Sequence, residues 1–334
     1  MYNIDEIKHI HLEVSSLCNA RCPKCPRNFH GYPHNHGYTE KNLTLAEIKK
    51  IFSPSFVKQL NTVYINGNFG DAIMNPYTTN IIEYFRNLNK NLVIQISTNG
   101  SARNKVFWTK LAQLNAKVIF CLDGLEDTHH LYRQDTNWKK IIKNAQTFIS
   151  AGGRATWKMI QFDHNNHQLA DCRALSIKLG FKEFLIVNEG RDTGPVFDRK
   201  GNLSHTLGKP KETNFKVLFK SATTDEILLE DIVSTIPAKT ISCQVKKQKS
   251  LYVSSLGDIY PCCYLGFQPK TYGTGMYHQA ANAQFKDLIQ KNNAIEYSLA
   301  QCITWFNKVE ESWSKPSFET GRLVICDTVC GQNI

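Results

Sequence analysis

No run of about 18 apolar residues, the length a helix needs to cross a bilayer, occurs anywhere in this 334-residue chain. The opening MYNIDEIKHIHLEV has no cationic start running into an apolar stretch, so a secretory signal is not expected. Internal repeats and low-complexity tracts are also missing. The expected setting is the cytoplasm, with no membrane partner. Cysteine is plentiful: 11 residues, an odd number that cannot pair completely. A reducing compartment also argues against a disulfide framework, which leaves metal or cluster ligation wherever the spacing supports it. With 42% hydrophobic residues the chain can bury a large core and support a smaller second unit. The net charge of +11 raises the question of an acidic partner such as nucleic acid. The lysines are scattered, however, and only Lys246-Lys247-Gln248-Lys249 forms a patch. A generally basic surface is therefore the favoured reading over a nucleic-acid partner.

The first half alternates β-type runs with helical patterns. Strands are expected at Ile7–Val14, Thr62–Asn66, Leu92–Ser97, Lys117–Leu122, Ala155–Gln161 and Glu183–Val187. Amphipathic helices are expected near Leu45–Phe52, Asn80–Leu88, Asn104–Leu114, Trp138–Ser150 and Gln168–Leu179. Thr44 and Glu47 have capping-box spacing for the first helix. Such alternation implies an α/β fold of parallel strands joined by right-handed crossovers. Six units are too few for a closed eight-stranded barrel, so the expected architecture is an open, partial (β/α)6 barrel. Polar and glycine-rich segments end strand after strand: Ser15-Ser16-Leu17-Cys18, Gly67-Asn68-Phe69-Gly70-Asp71, Thr98-Asn99-Gly100, Asp123-Gly124 and Asp163-His164-Asn165. Ligands of such folds bind at the carboxyl ends of the strands. Beyond about residue 190 the alternation fades. Gly190–Lys211 reads as a long irregular loop, and Leu251–Tyr260 has hairpin character around Leu256-Gly257-Asp258.

Cys18, Cys22 and Cys25 place three thiols within eight residues, just after the first strand. Three thiolates on one loop can ligate three irons of a [4Fe–4S] cluster and leave the fourth open. Zinc is the competing reading, with His30, His34 or His36 as fourth ligand. The C-x3-C-x2-C spacing at this position resembles the signature of the radical S-adenosylmethionine (SAM) superfamily. The resemblance implies a [4Fe–4S] cluster at Cys18, Cys22 and Cys25, with SAM chelated to the open iron. It also implies reductive SAM cleavage to a 5′-deoxyadenosyl radical, which takes hydrogen from a substrate. Gly67, Gly70 and Asp71 look like a variant of the stretch that binds the SAM amino group. Asp71 and Ala72 replace the usual glutamate and proline. By the same likeness Ser97, Thr98, Asn99 and Asp123 fall at SAM-contacting strand ends. Arg133 is a candidate for the SAM carboxylate, which a guanidinium can grip with two prongs. Lys24 stands where an aromatic residue is common, and its alkyl stem could cover the adenine instead.

A second cysteine group comprises Cys243, Cys262, Cys326 and Cys330, with Gly257 between the first two. Its first half resembles the C-x9–15-G-x4-C opening of SPASM and twitch domains, and the short set matches a twitch-like unit better. The resemblance implies one auxiliary [4Fe–4S] cluster on Cys243, Cys262, Cys326 and Cys330, with a structural zinc as the alternative. Cys263 could replace Cys262, and Cys302 could replace one of the C-terminal pair. Cys121 and Cys172 read as small buried hydrophobes. The expected organisation is a core over 1–205, a linker over 206–241 and an auxiliary unit over 242–334.

His30, His34 and His36 read as a surface loop before a substrate entrance. Asp163-His164-Asn165-Asn166-His167 and Glu189, Arg191 and Asp192 could be turns or substrate contacts. Trp157 reads as core packing. The expected substrate is a peptide or protein side chain, or a small metabolite. The expected electron donor is a flavodoxin or ferredoxin. An RNA-modifying enzyme and a non-catalytic metal-binding scaffold are the alternatives.

Overall fold

The structure, a computed structural model, describes residues 1–33, 39–188, 194–210, 239–267, 284 and 288–332. All six expected strands form: β1 (His9–Leu12), β2 (Thr62–Ile65), β3 (Val93–Thr98), β4 (Lys117–Cys121), β5 (Arg154–Gln161) and β6 (Glu183–Asn188). Each pairs in parallel with the next in chain order. Between them run α1 (Leu45–Ile51), α2 (Pro54–Gln59), α3 (Thr78–Leu88), α4 (Lys105–Gln113), α5 (Glu126–Tyr132) and α6 (Trp138–Ser150), with α7 (Leu169–Lys178) before β6.

The side-chain period of each strand decides its faces. Ile10 and Leu12, Val63 and Ile65, and Ala155, Trp157 and Met159 are buried in one hydrophobic core. The alternate positions, among them His11, Tyr64 and Lys158, lie on the opposite, inner face. On the helix side α6 presents Ile141, Ala145 and Phe148 at intervals of four and three residues, the spacing of one helical face. Trp108, Phe120, Phe148, Trp157 and Phe181 form a chain of aromatic contacts there, and burying each contributes about 1.5–3 kcal/mol or more. The Thr44–Glu47 capping box is present: Glu47 N–H donates to Thr44 Oγ1 at 3.2 Å and Thr44 N–H to Glu47 Oε2 at 2.8 Å. Helices α2 and α5 are short, with six and seven residues, and show too little periodicity to be read from sequence. Ser53 and Pro54 open α2 with a cap and a proline at its first turn.

One expectation is corrected. Within the segment read as irregular, β7 (Gly194–Phe197) and β8 (Leu203–Leu207) form an antiparallel hairpin. Asp198 makes the turn, accepting from Lys200 N–H at 2.8 Å and Asn202 N–H at 2.9 Å. Gly, Pro, Asp and Asn masked these strands because their apolar alternation is only two residues deep: Val196 and Leu207 are buried while Leu203 is exposed.

The C-terminal segment joins the same sheet. β9 (Ser250–Val253) pairs in parallel with the free edge of β1, and β10 (Ile259–Tyr260) pairs antiparallel with β9. The eight strands run β10-β9-β1-β2-β3-β4-β5-β6, an open sheet whose end strands do not pair with each other. Gly257, at φ +88°, makes the β9–β10 turn in the left-handed region that glycine adopts without strain. Tyr252, Val253, Trp305 and Phe306 share one hydrophobic core with Ile7, Ile10 and Leu12. Most of the segment expected as a linker lies outside the described residues. No helix among the described residues is long and apolar enough to cross a membrane.

Candidate active site

The sheet brings the loops at its carboxyl edge together around Cys18, Cys22 and Cys25. Cys25 N–H donates to Cys22 O at 3.0 Å and Ala20 N–H to Cys18 Sγ at 3.4 Å, so the loop folds back on itself. Two thiols have donors from other loops. Asn99 Nδ2 is 3.7 Å from Cys18 Sγ, and Arg133 Nη1 is 3.7 Å from Cys22 Sγ. Burial raises the pKa of Cys18, and raises that of Cys22 to about 11 against the pull of Arg133. A metal reverses that preference by taking the deprotonated sulfur. Three thiols on one loop, with N–H groups aimed at two of the sulfurs, suit an iron–sulfur cluster. No group of three or more His, Cys, Asp or Glu side chains among the described residues is arranged to hold a single metal ion. Thiolates capping different irons of a cluster stand farther apart than ligands of one ion.

The 67–70 loop is built by close approach. A methyl group on Gly70 would lie 1.9 Å from Ser15 O, and one on Gly67 would lie 2.5 Å from Gly70 O. Glu13 holds this loop from below: its Oε1 accepts from Phe69 N–H at 2.8 Å and Gly70 N–H at 3.0 Å. Its Oε2 accepts from Tyr252 Oη at 2.5 Å, on β9. Asn68 Nδ2 donates to Cys263 O at 2.8 Å. Sequence reasoning missed Glu13 and Tyr252. The available signal was an acid at the end of the Ile10–Val14 strand pattern; the structure buries it to 1% exposure, and a buried charge implies partners. Gly70→Ala is expected to destabilise the fold by about 2–3 kcal/mol, because the obstacle is backbone. A melting temperature within 1–2 °C of wild type would contradict this.

Asp71 braces two loops. Its oxygens accept from Thr98 Oγ1 at 2.7 Å, Ile73 N–H at 3.2 Å and Asn99 N–H at 2.7 Å, and its own N–H donates to Leu17 O at 2.8 Å. Thr98 and Asn99 are thereby tied to the cysteine loop. Ser97 points elsewhere, with its Oγ 3.4 Å from Cys121 Sγ on the inner face. Asp123, fully buried, accepts from Ile160 N–H at 2.6 Å through Oδ1 and from Arg133 Nε at 2.6 Å through Oδ2. Asp123 thus orients Arg133, whose Nη2 has no hydrogen bond among the described residues. His129 accepts from Asp123 N–H at 3.1 Å through Nδ1. Burial, aided by Arg133, lowers the pKa of His129 to about 3 and keeps it neutral in that acceptor role.

The β7–β8 hairpin covers one side of this site. Val196 and Leu207 pack with Cys22, Tyr132, Ile160 and Phe162, and His30 O accepts from Phe197 N–H at 2.9 Å. Lys24 extends toward Gly194 at the hairpin's start. Asn165 is a turn residue: it accepts from Phe162 N–H at 2.8 Å and donates to Ile160 O at 2.9 Å. His164 stacks on Phe162 with centroids 5.2 Å apart. His34, His36, Glu189, Arg191 and Asp192 lie outside the described residues.

The second cysteine group gathers at the C-terminus. Thr240–Ile241 pairs antiparallel with Gly331–Gln332, and Ser242 N–H donates to Cys330 O at 2.9 Å. Cys243 and Cys330 are hydrogen-bonded through their side chains, and Cys262 and Cys326 lie close enough to raise the Cys330 pKa further. That hydrogen bond lowers the pKa of Cys243, helped by the amides of Lys246 and Val245 in the helical turn that Cys243 opens. Cys262 lies in the electrostatic field of Cys243 and Cys326, whereas the field of Glu13 reaches Cys263. Cys302, Cys121 and Cys172 are buried. Arg322 ties the cysteine-bearing helix Val324–Cys330 down. It pairs with Asp327 (Nε–Oδ2 2.5 Å, Nη2–Oδ1 2.8 Å) and donates to Lys239 O at 2.5 Å, Lys315 O at 3.0 Å and Trp313 O.

No family model matches the chain. It is 27% identical over 119 residues to the FeMo cofactor biosynthesis protein NifB of Methanocaldococcus jannaschii, covering 34% of this chain and 39% of NifB. The chain thus spans well under half the length of that curated relative. Among solved structures, Streptococcus suis SuiB bound to S-adenosylmethionine aligns over 96% of this chain and 77% of its own, with TM-score 0.54 and 14% identity. SuiB bound to precursor peptide SuiA aligns over 95% and 66%, with TM-score 0.56 and 15% identity. Native anSMEcpe with bound AdoMet and Cp18Cys peptide aligns over 96% and 88%, with TM-score 0.55 and 14% identity. These relatives are radical SAM enzymes, and at such identities the solved structures speak for the fold. In its fold, in its sequence likeness to NifB and in the Cys18–Cys22–Cys25 loop at the end of β1, the chain is similar to radical SAM enzymes.

Proposed function

We propose that this protein reductively cleaves SAM at a [4Fe–4S] cluster held by Cys18, Cys22 and Cys25 and abstracts hydrogen from a substrate. The observation that carries this reading is the convergence of Asn99 and Arg133 on the thiols of Cys18 and Cys22. When bound, the cluster supplies the electron that splits a SAM carbon–sulfur bond into methionine and a 5′-deoxyadenosyl radical.

The chain's own residues bind, orient and shield. Arg133, fixed by Asp123, turns its free Nη2 to the SAM carboxylate. The backbone of Gly67–Gly70 receives the SAM amino group. Asp71 sets that loop's distance from Thr98 and Asn99, its carboxylate already satisfied by protein donors. The β7–β8 hairpin excludes water from the side of Cys22.

The segment from 242 onward is proposed as an auxiliary unit, with one [4Fe–4S] cluster on Cys243, Cys262, Cys326 and Cys330. The shared neighbourhood of these four thiols supports that set, and the field of Glu13 at Cys263 favours Cys262. A peptide substrate draws support from SuiB and anSMEcpe, both captured with peptides. A flavodoxin or ferredoxin is the proposed electron source. The test is anaerobic reconstitution followed by reduction with dithionite in the presence of SAM. Formation of 5′-deoxyadenosine and methionine in equal amounts supports the reading, and intact SAM after many hours sinks it.

A further inference from the structure

Lys158 lies in the middle of β5 on its inner face, opposite Trp157 and Met159, which are fully buried. Its neighbours across the sheet are Cys121 on β4 and Leu185 on β6. A row of polar side chains leads to it from the other edge. His11 contacts the rings of Tyr252 and Tyr64 at centroid distances of 5.0 and 5.2 Å. Tyr64 is hydrogen-bonded to Ser97, and Ser97 Oγ is 3.4 Å from Cys121 Sγ.

The half-buried Lys158 ammonium has no ion pair or hydrogen bond among the described residues. Burying a charge without a counter-ion is costly, and among the described residues no carboxylate is left to pair with Lys158. The three buried carboxylates of this region are already committed: Asp123 to Arg133 and Ile160, Asp71 to Thr98, Asn99 and Ile73, and Glu13 to Phe69, Gly70 and Tyr252. Lys158 lies within the electrostatic reach of Cys121, Tyr64, Arg133 and Asp123, which places it beside the candidate SAM site. Cys121 foremost raises its pKa above the ordinary lysine value, so the amine stays protonated at neutral pH.

We infer that Lys158 anchors a carboxylate of the substrate on the inner face of the barrel, making the substrate an acid-bearing molecule such as a peptide with an Asp, Glu or free C-terminal carboxylate. The inference rests on the SAM-cleavage reading for its site. The carboxylate of SAM itself is the other possible source, and Arg133, next to Cys22 with a free Nη2, is the better placed cation for it.

The test uses the reconstituted full chain with SAM bound and no reductant, probed with N-acetylglutamate and N-acetylglutamine by saturation-transfer NMR on the acetyl methyl group. The acid is expected to bind at least about tenfold more tightly than the amide, the ratio a charge-assisted hydrogen bond supplies. Lys158→Met is expected to bring the two within about twofold, Lys158→Arg to keep most of the difference, and the SAM dissociation constant to stay within about twofold in both. Equal binding of acid and amide to wild type, no binding of either, or an acid preference that survives in Lys158→Met overturns the inference. So does a tenfold loss of SAM affinity in Lys158→Met, which would assign the lysine to SAM. The acid–amide comparison on wild type decides the matter even if a variant fails to fold. SAM cleavage, measured separately on the same preparation, tells failure of this inference from failure of the catalytic reading.

Discussion

Replacing Cys18, Cys22 and Cys25 together by alanine is expected to abolish conversion of SAM to 5′-deoxyadenosine while leaving about half of the iron in place. With the two proposed four-iron clusters, the wild type is expected to carry about eight irons per chain and the variant about four. The reason lies in the donor set. Asn99 and Arg133 can support sulfur ligands but cannot replace them, and no other cysteine reaches this loop: Cys121 contacts Ser97 on the inner face, and Cys172 is buried behind the sheet. The fold should survive, because the loop emerges from β1 after the strand has already paired with β2 and β9. Iron and sulfide counts with product analysis check the expectation. Unchanged iron would place the metal elsewhere, and zinc in both proteins without SAM cleavage would leave a metal-stabilised binding protein.

Arg322→Ala is expected to cost about 3–5 kcal/mol in the C-terminal segment, the penalty of leaving one member of a buried ion pair unpaired. Arg322 is 5% exposed and Asp327 8% exposed, so solvent cannot take over the lost contacts. Removing the guanidinium strands the Asp327 carboxylate and three backbone carbonyls at once. Asp327 lies between Cys326 and Cys330 on one helix, so its displacement should cost the irons of the proposed auxiliary cluster first. The expected readout is about four irons per chain, with a lower first thermal transition. An iron content equal to wild type, with unchanged melting, would show the clamp to be dispensable.

The two sites are physically joined through Glu13. One carboxylate receives two amides of the 67–70 loop and the hydroxyl of Tyr252, and Asn68 of that loop reaches Cys263, the neighbour of Cys262. Disturbance of either cysteine group therefore has a short structural route to the other. The sequence could not reveal this joint, since residues 13 and 252 become neighbours only when β9 docks on β1.

What the sequence determined by itself was local. The alternation of apolar and polar residues set all six barrel strands and the helices longer than about two turns, because those periods are written in adjacent residues. The cysteine spacing marked the loop of Cys18, Cys22 and Cys25 on which the proposed cluster rests, and Thr44 with Glu47 marked a helix start. Tertiary structure decided whatever depends on partners far apart in the chain. It turned the glycine- and proline-rich stretch after residue 193 into a hairpin against Cys22, because Val196 and Leu207 find their apolar partners there. It made Asp71 and Asp123 braces with their oxygens spent on protein donors. Among the described residues it left the Lys158 ammonium on the inner face without a carboxylate partner. Hydrogen-bond satisfaction and charge pairing are properties of a three-dimensional neighbourhood, and these neighbourhoods exist only once the sheet has closed its loops together.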